Sequence, residues 1–157
     1  MELEELDLPT LASIAGGGVG RAVIERMQES GFTGVKPSHG YVIQRLLADE
    51  PTITELAAAL GMTQQGASKQ VRDLAELGYV ERLAVPGDQR SRRVRLTDSG
   101  RAMIDSARAA RTEIEADVLA RVGAENVAAS KVALAALLDV VGLNDRVRTR
   151  TVPEPAA

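Results

Sequence analysis

The sequence predicts a mostly α-helical chain with one small β-hairpin. Three observations carry this: apolar residues recur at helical spacing over most of the 157 residues, one stretch alternates in strand fashion, and helix caps punctuate the intervals between them. The apolar residues are nearly all Ala, Val, Leu and Ile; only Phe32, Tyr41 and Tyr79 are aromatic.

The first helix is predicted over about Thr10 to Glu29, with Leu11, Ile14, Val19, Val23 and Met27 on its apolar side. It contains "GGGVG" at 16–20, costly inside a helix. A phosphate-cradling loop would need a preceding strand and a following Gly-Lys-Ser/Thr, and neither is present. Small residues there suit a close helix crossing or a kink, at a subunit interface for instance. After the loop "SGFTGVKP", Ser38 is expected to cap a helix over His39 to Ala48, with Tyr41, Val42, the stem of Arg45 and Leu46 inward. A lone His39 in the first turn reads as a surface or packed residue, not as a catalyst.

"TITELAAALGM" holds Thr52 and Glu55 in the reciprocal capping arrangement, starting a helix over 53–60 that Gly61 stops. Ile53, Leu56, Ala57 and Leu60 face inward. In "TQQGASKQVRDLAELG" Thr63 caps and Gly78 stops a helix whose apolar stripe is Ala67, Val71, Leu74 and Leu77. Its other face, Gln64, Gln65, Ser68, Lys69 and Arg72, carries no acid. "YVERLAV" and "RRVRL" alternate as strands around the turn "PGDQRS", with Val80, Val94 and Leu96 on one side and Arg93 and Arg95 on the other. Two short helices joined by a tight turn and followed by a hairpin make a helix-turn-helix with a wing.

Thr97 caps a long helix from Asp98 to about Val122, striped by Met103, Ile104, Ala107, Ile114, Val118 and Leu119, and "GAEN" interrupts it. A last helix, about Glu125 to Val141, is apolar on two sides, so it is expected to be buried against the rest of the chain or against a second copy. The remainder is polar and Pro-rich and is expected to be disordered. The predicted organisation is a helix and loop at 1–36, a winged helix-turn-helix lobe at 37–97, C-terminal helices at 98–144 and a tail at 145–157.

Charge is segregated. The chain has net charge −3, yet residues 63–96 carry seven basic and four acidic side chains. A local basic island on an acidic protein suits one surface that touches a polyanion. The major groove admits one helix, whose N-terminal side chains read base edges, so Thr63, Gln64, Gln65, Ser68, Lys69 and Arg72 form the expected reading set. Gly66 offers a close backbone approach. On the wing, Arg90 at the tip suits a narrow minor groove with Asp88 holding it, and Arg92, Arg93 and Arg95 suit phosphates. Arg82 has no assigned partner at this level.

Other classes fare worse. Zero cysteines and one histidine remove disulfides, thiolate chemistry and a transition-metal cage, and an enzyme would need a nucleophile, base or metal cluster that the carboxylates, spread along helix faces, do not supply. No metal or cofactor is expected. The acidic start "MELEELDL" is unlike a signal peptide and no apolar run reaches membrane-spanning length, so a soluble, cytoplasmic protein without a membrane partner is expected.

From Ser38 to about Ser106 the chain resembles the MarR family of winged-helix transcription regulators. The resemblance rests on "ITELAAALGMTQQGASKQVRDLAELGYVERL" and on "GDQRSRRVRLTDSG", above all the Asp-x-Arg pattern of Asp88 and Arg90 followed by basic residues and "LT". It implies a homodimer whose first and last helices form the subunit interface, a lobe built from those helices, binding to a pseudo-palindromic operator, and control by a small effector near Phe32 and Tyr41. The alternative is a nucleoid-like dimer that binds DNA with little sequence preference and no ligand.

Overall fold

The computed structural model describes residues 2–85 and 87–153, and of Glu4, Val85, Asp88, Gln89, Arg90 and Ser91 the backbone alone. A single 3-10 turn at Leu3–Glu5 precedes eight elements: α1 (Leu8–Glu29), α2 (His39–Leu46), α3 (Ile53–Leu60), α4 (Gln64–Glu76), β1 (Val80–Val85), β2 (Asp88–Leu96), α5 (Asp98–Val140) and α6 (Asn144–Arg148).

α1 starts before Thr10 because Asp7, not Thr10, is its cap: the Asp7 carboxylate accepts the Thr10 N–H at 2.8 Å and the Thr10 hydroxyl at 3.0 Å. The helix runs through 16–20 without a break. A Cβ added at Gly16, Gly18 or Gly20 would meet nothing within 4 Å, so these glycines serve no close crossing within the chain.

α2 corrects two expectations. Ser38 does not cap it: its backbone is already helical and its side chain makes no cap bond. The turn closes earlier, through Gly40 N–H to Pro37 O at 3.1 Å, and His39 does the side-chain work, its Nδ1 accepting the Lys36 N–H at 3.2 Å. His39 is thereby almost wholly buried, and Ile43 takes the inward place assigned to Tyr41, which is only half-buried.

The helix-turn-helix forms as the caps dictate. The Thr52 hydroxyl accepts the Glu55 N–H at 3.2 Å while Glu55 accepts the Thr52 N–H at 2.7 Å, and Gly61 ends α3 at φ +65°. Leu56, Leu60, Val71 and Leu74 are wholly buried where α3 and α4 cross, so this joint holds much of the core.

β1 and β2 pair antiparallel, Val80 opposite Leu96, and the register shifts between Ala84 and Val85. Because β2 begins at Asp88, two residues alone, 86 and 87, separate the strands, and position 90 lies on β2 instead of at the tip. Val80, Val94 and Leu96 turn inward as their alternation predicts. Residues 51 and 52 lie along the outer edge of β2, with Val94 N–H bonded to Pro51 O at 2.9 Å.

α5 is clamped to the start of the hairpin. Thr97 accepts the Gly100 N–H at 3.0 Å, its hydroxyl donates to Gly78 O at 2.6 Å, and its own N–H reaches Tyr79 O at 3.1 Å. The helix breaks at Gly123 (φ +81°), within the "GAEN" interruption. Lys131 meets Glu115, equidistant across the break, so the second limb runs back along the first. Among the described residues Val118 and Leu119 on the first limb and Val132, Leu134 and Val140 on the second all stay exposed. The last helix is therefore only partly covered by the described residues: Val127, Leu137 and Leu138 are half-buried and its other valines and leucines are open. Beyond it the chain is ordered up to the last described residue: α6 forms, and Arg150 Nη1 donates to Gln44 Oε1 at 3.0 Å, a return to α2 that polar composition alone concealed.

A Cβ on Gly100 would sit 2.1 Å from the Tyr79 carbonyl oxygen, a backbone atom that has no rotamer to yield. Gly100→Ala should therefore lower unfolding stability by roughly 1–3 kcal/mol in urea titration; unchanged stability would show that the joint is looser than its geometry.

Candidate nucleic-acid interface

Burial fixes the orientation of α4. Ala67, Val71 and Leu74 have no exposed surface, which turns Gln64, Gln65, Lys69 and Arg72 to solvent with Ser68 half-buried beside them. Thr63 caps the helix through the Gly66 N–H at 3.0 Å, and a Cβ at Gly66 would press on that hydroxyl at 3.1 Å. Gly66 thus keeps the cap compact, a local reason for glycine that the sequence reading had assigned to backbone approach.

Two hydrogen bonds and one charged cluster set this face in place, and none is visible as a motif. Gln64 Nε2 donates to Thr54 Oγ1 at 3.2 Å, tying α4 to α3. Arg82 Nη2 reaches the Ser68 carbonyl at 3.4 Å, which places the arginine the sequence left without a partner: it joins β1 to the middle of α4. Asp73 gathers Lys36 at 3.2 Å and Lys69 at 3.5 Å, with His39 Nε2 at 4.0 Å. The Lys36 hydrogen bond first, and the charge of Lys69 after it, hold the Asp73 carboxyl below the usual aspartate range.

On the hairpin, Arg93 Nη1 donates to the Glu50 carbonyl at 2.7 Å and Arg95 Nε to the Glu81 carboxylate at 2.7 Å across the strands. That bond to Glu81 raises the Arg95 pKa further above its ordinary value. Each guanidinium has five donors, so a single internal bond orients the fork and leaves others outward. Arg92 and Arg93 are exposed. The side chains of Asp88 and Arg90, the expected wing pair, lie outside the described residues.

The two effector candidates separate. Phe32 packs on Tyr79 with ring centroids 6.4 Å apart. Tyr41 lines a cavity of about 720 Å³ enclosed by α1, α2 and α5, together with Lys36, Val23, Met103 and Arg111. Among the described residues no cluster of acids and histidine is arranged to hold a metal, and no helix is long and apolar enough to cross a membrane.

Residues 33–91 match the MarR family. The matched segment spans α2, α3, α4, β1 and the start of β2. Similar solved structures include a MarR family transcription regulator, 26% identical with TM-score 0.62 over 88% of each chain. YusO from Bacillus subtilis is 19% identical with TM-score 0.67, over 88% of this chain and 99% of that one. A MepR variant from S. aureus bound to an oligodeoxyribonucleotide is 20% identical with TM-score 0.60, over 87% and 99%. Curated proteins give no match. The likeness in fold to these structures covers most of the chain, beyond the matched segment.

The Asp73 cluster is open to a direct test. A depressed carboxylate pKa contributes stability that is complete above the ordinary aspartate range and lost as pH falls through the lowered value. In Lys36→Met, carboxyl NMR should find Asp73 titrating closer to an ordinary aspartate, with stability less dependent on acid pH; an unmoved titration would mean that Lys36 is not its main partner.

Proposed function

We propose that this chain is a sequence-specific transcription regulator, a repressor that binds a pseudo-palindromic operator as a homodimer and responds to a small ligand. The observation that carries this reading is α4: a helix pinned by a dry apolar stripe, presenting Thr63, Gln64, Gln65, Ser68, Lys69 and Arg72 outward from its N-terminal half, beside an arginine-bearing hairpin. Amide and cationic side chains at a helix N-terminus suit base edges in the major groove. Arg92, Arg93 and Arg95 suit phosphates, with Arg90 and Asp88 assigned to the minor groove from their sequence pattern.

The dimer is supported by apolar surface that one chain leaves open. Val132 and Val140 are 71% and 84% exposed, and Leu134 on the same limb of α5 and Val118 and Leu119 on the other are exposed as well. Exposed aliphatic surface of this extent marks an interaction face. The unobstructed glycines of α1 suit the same interface. Two α4 helices in successive major grooves must lie roughly 34 Å apart.

Ligand response follows from one shared group. Lys36 lines the 720 Å³ cavity and also holds Asp73, which in turn holds Lys69 on the reading face. An occupant that draws Lys36 away leaves Asp73 to Lys69, and so withdraws a cation from DNA. The coupling is the difference in ligand affinity between the two arrangements, and it acts equally in both directions.

Selection of bound sequences from random DNA tests the whole proposal. The enriched motif should be an inverted repeat with half-sites one helical turn apart, and Gln65→Ala or Lys69→Ala should relax specific positions in it. On the selected site Arg90→Ala should cost about 1–3 kcal/mol, whereas Arg92→Ala should weaken all sequences alike. A single unrepeated half-site would contradict the homodimer, and no enrichment would point to the low-specificity DNA-binding module.

A further inference from the structure

Next to the larger cavity lies a second compartment of about 380 Å³, walled by Tyr41 and Gln44 of α2, Arg111 of α5, and Val147, Arg150 and Val152 of the C-terminal segment. Three features of it converge on a ligand class.

The first is charge. The charged residues lining this compartment are Arg111 and Arg150, and those lining the larger cavity are Arg21, Lys36 and Arg111. Among the described residues no acid lines either space. The hydrogen bonds of Arg111 and Arg150 go to the Ala107 carbonyl at 3.3 Å and the Gln44 amide oxygen at 3.0 Å, not to a carboxylate. Two guanidiniums turned to one compartment, each with donors to spare, suit a planar carboxylate held in bidentate fashion.

The second is the backbone at Arg150. Its φ is +56°, and no other non-glycine residue among those described has a positive φ. It follows α6 at the left-handed position beyond a helix end, where glycine is favoured. The chain does use glycine at the corresponding places, Gly61 after α3, Gly78 after α4 and Gly142 after α5. An arginine kept where glycine would be relaxed implies that its side chain is used.

The third is the apolar lining. Val147, 46% exposed in the chain, and Val152 line this space, and its one aromatic is Tyr41. Aliphatic walls without a stacking partner suit a flexible hydrocarbon better than a flat ring. The volume lies within the roughly 300–1,000 Å³ of small-molecule sites.

We propose that residues 144–152 form a strap over a binding site for an aliphatic carboxylate, with Arg111 and Arg150 holding the carboxylate and Val147 and Val152 covering the chain. The site takes its regulatory meaning from the ligand-responsive reading above, but binding itself does not depend on that reading.

The test uses the full chain and octanoate as probe, with 1-octanol as its uncharged counterpart. By isothermal titration the protein should bind octanoate saturably and 1-octanol about tenfold more weakly or worse. Arg150→Gly, which removes the guanidinium and relaxes the backbone, should lose about tenfold in octanoate affinity without loss of thermal stability, and Arg150→Lys should recover part of it. The Arg111→Gln variant should show a loss of similar size. No saturable octanoate binding, or equal binding by wild type and Arg150→Gly, would overturn the site; the latter is what lodging in the larger cavity alone produces. DNA anisotropy with and without saturating octanoate separates the two claims. Octanoate binding with unaltered DNA affinity upholds the site and contradicts the ligand-responsive reading, and octanoate binding by a protein that takes no DNA contradicts the regulator alone.

Discussion

The arrangement depends on the joint between the hairpin and α5. Thr97 satisfies the Gly100 N–H, the Gly78 carbonyl and the Tyr79 carbonyl at once, and Gly100 lies so close to Tyr79 O that no side chain fits. Gly78 and Tyr79 follow α4 after Leu77 alone, so the same few atoms locate the end of α4, the start of the hairpin and the first turn of the longest helix. A rigid connection there means that displacement of α5 is displacement of α4. A regulator needs such a joint, because a soft one would dissipate the small differential binding energy that an effector supplies.

Around the joint the polar side chains are mostly employed inside the fold. Gln64 ties α3 to α4, Arg82 ties β1 to α4, Arg93 holds the chain before α3, and Arg95 crosses to Glu81. Gln64, Arg93 and Arg95, proposed above as DNA contacts, thus also have partners inside the fold. Internal bonds reduce the conformational freedom that a guanidinium or amide would otherwise lose on meeting DNA, which favours affinity through preorganisation. The Asp73 cluster differs in kind, since it spans the loop before α2, the buried His39 and the exposed Lys69. It is the contact through which the cavity and the reading face share a residue.

Much of the fold was legible because its signals are local. The Thr52 and Glu55 box, the Thr63 and Thr97 caps, the stops at Gly61 and Gly78, the Val80/Val94/Leu96 alternation and the break near Gly123 are written within a few residues of where they act. What escaped was set by partners distant in sequence. Ser38 has the right chemistry for a cap, but the turn closed by Pro37 puts it in helical conformation too early. Val118 and Leu119 continue a core stripe, yet among the described residues the last buried position on α5 is Ala110, with Ile114 half-buried after it and Val118 and Leu119 exposed. The C-terminal segment reads as disordered by composition, whereas its hold on Gln44 spans 106 positions. Likewise the exposed face of α4 was legible from its spacing, but Thr54, Asp73 and Arg82, which position it, carry no motif.

The central claim is that α4 and β2 together form the DNA-facing surface. Amide NMR mapping against a duplex carrying the selected inverted repeat addresses it most directly. The account predicts the largest shifts at residues 63–72 and 88–95, with residues 144–152 nearly unmoved. Shifts centred elsewhere, with 63–72 unaffected, would contradict it.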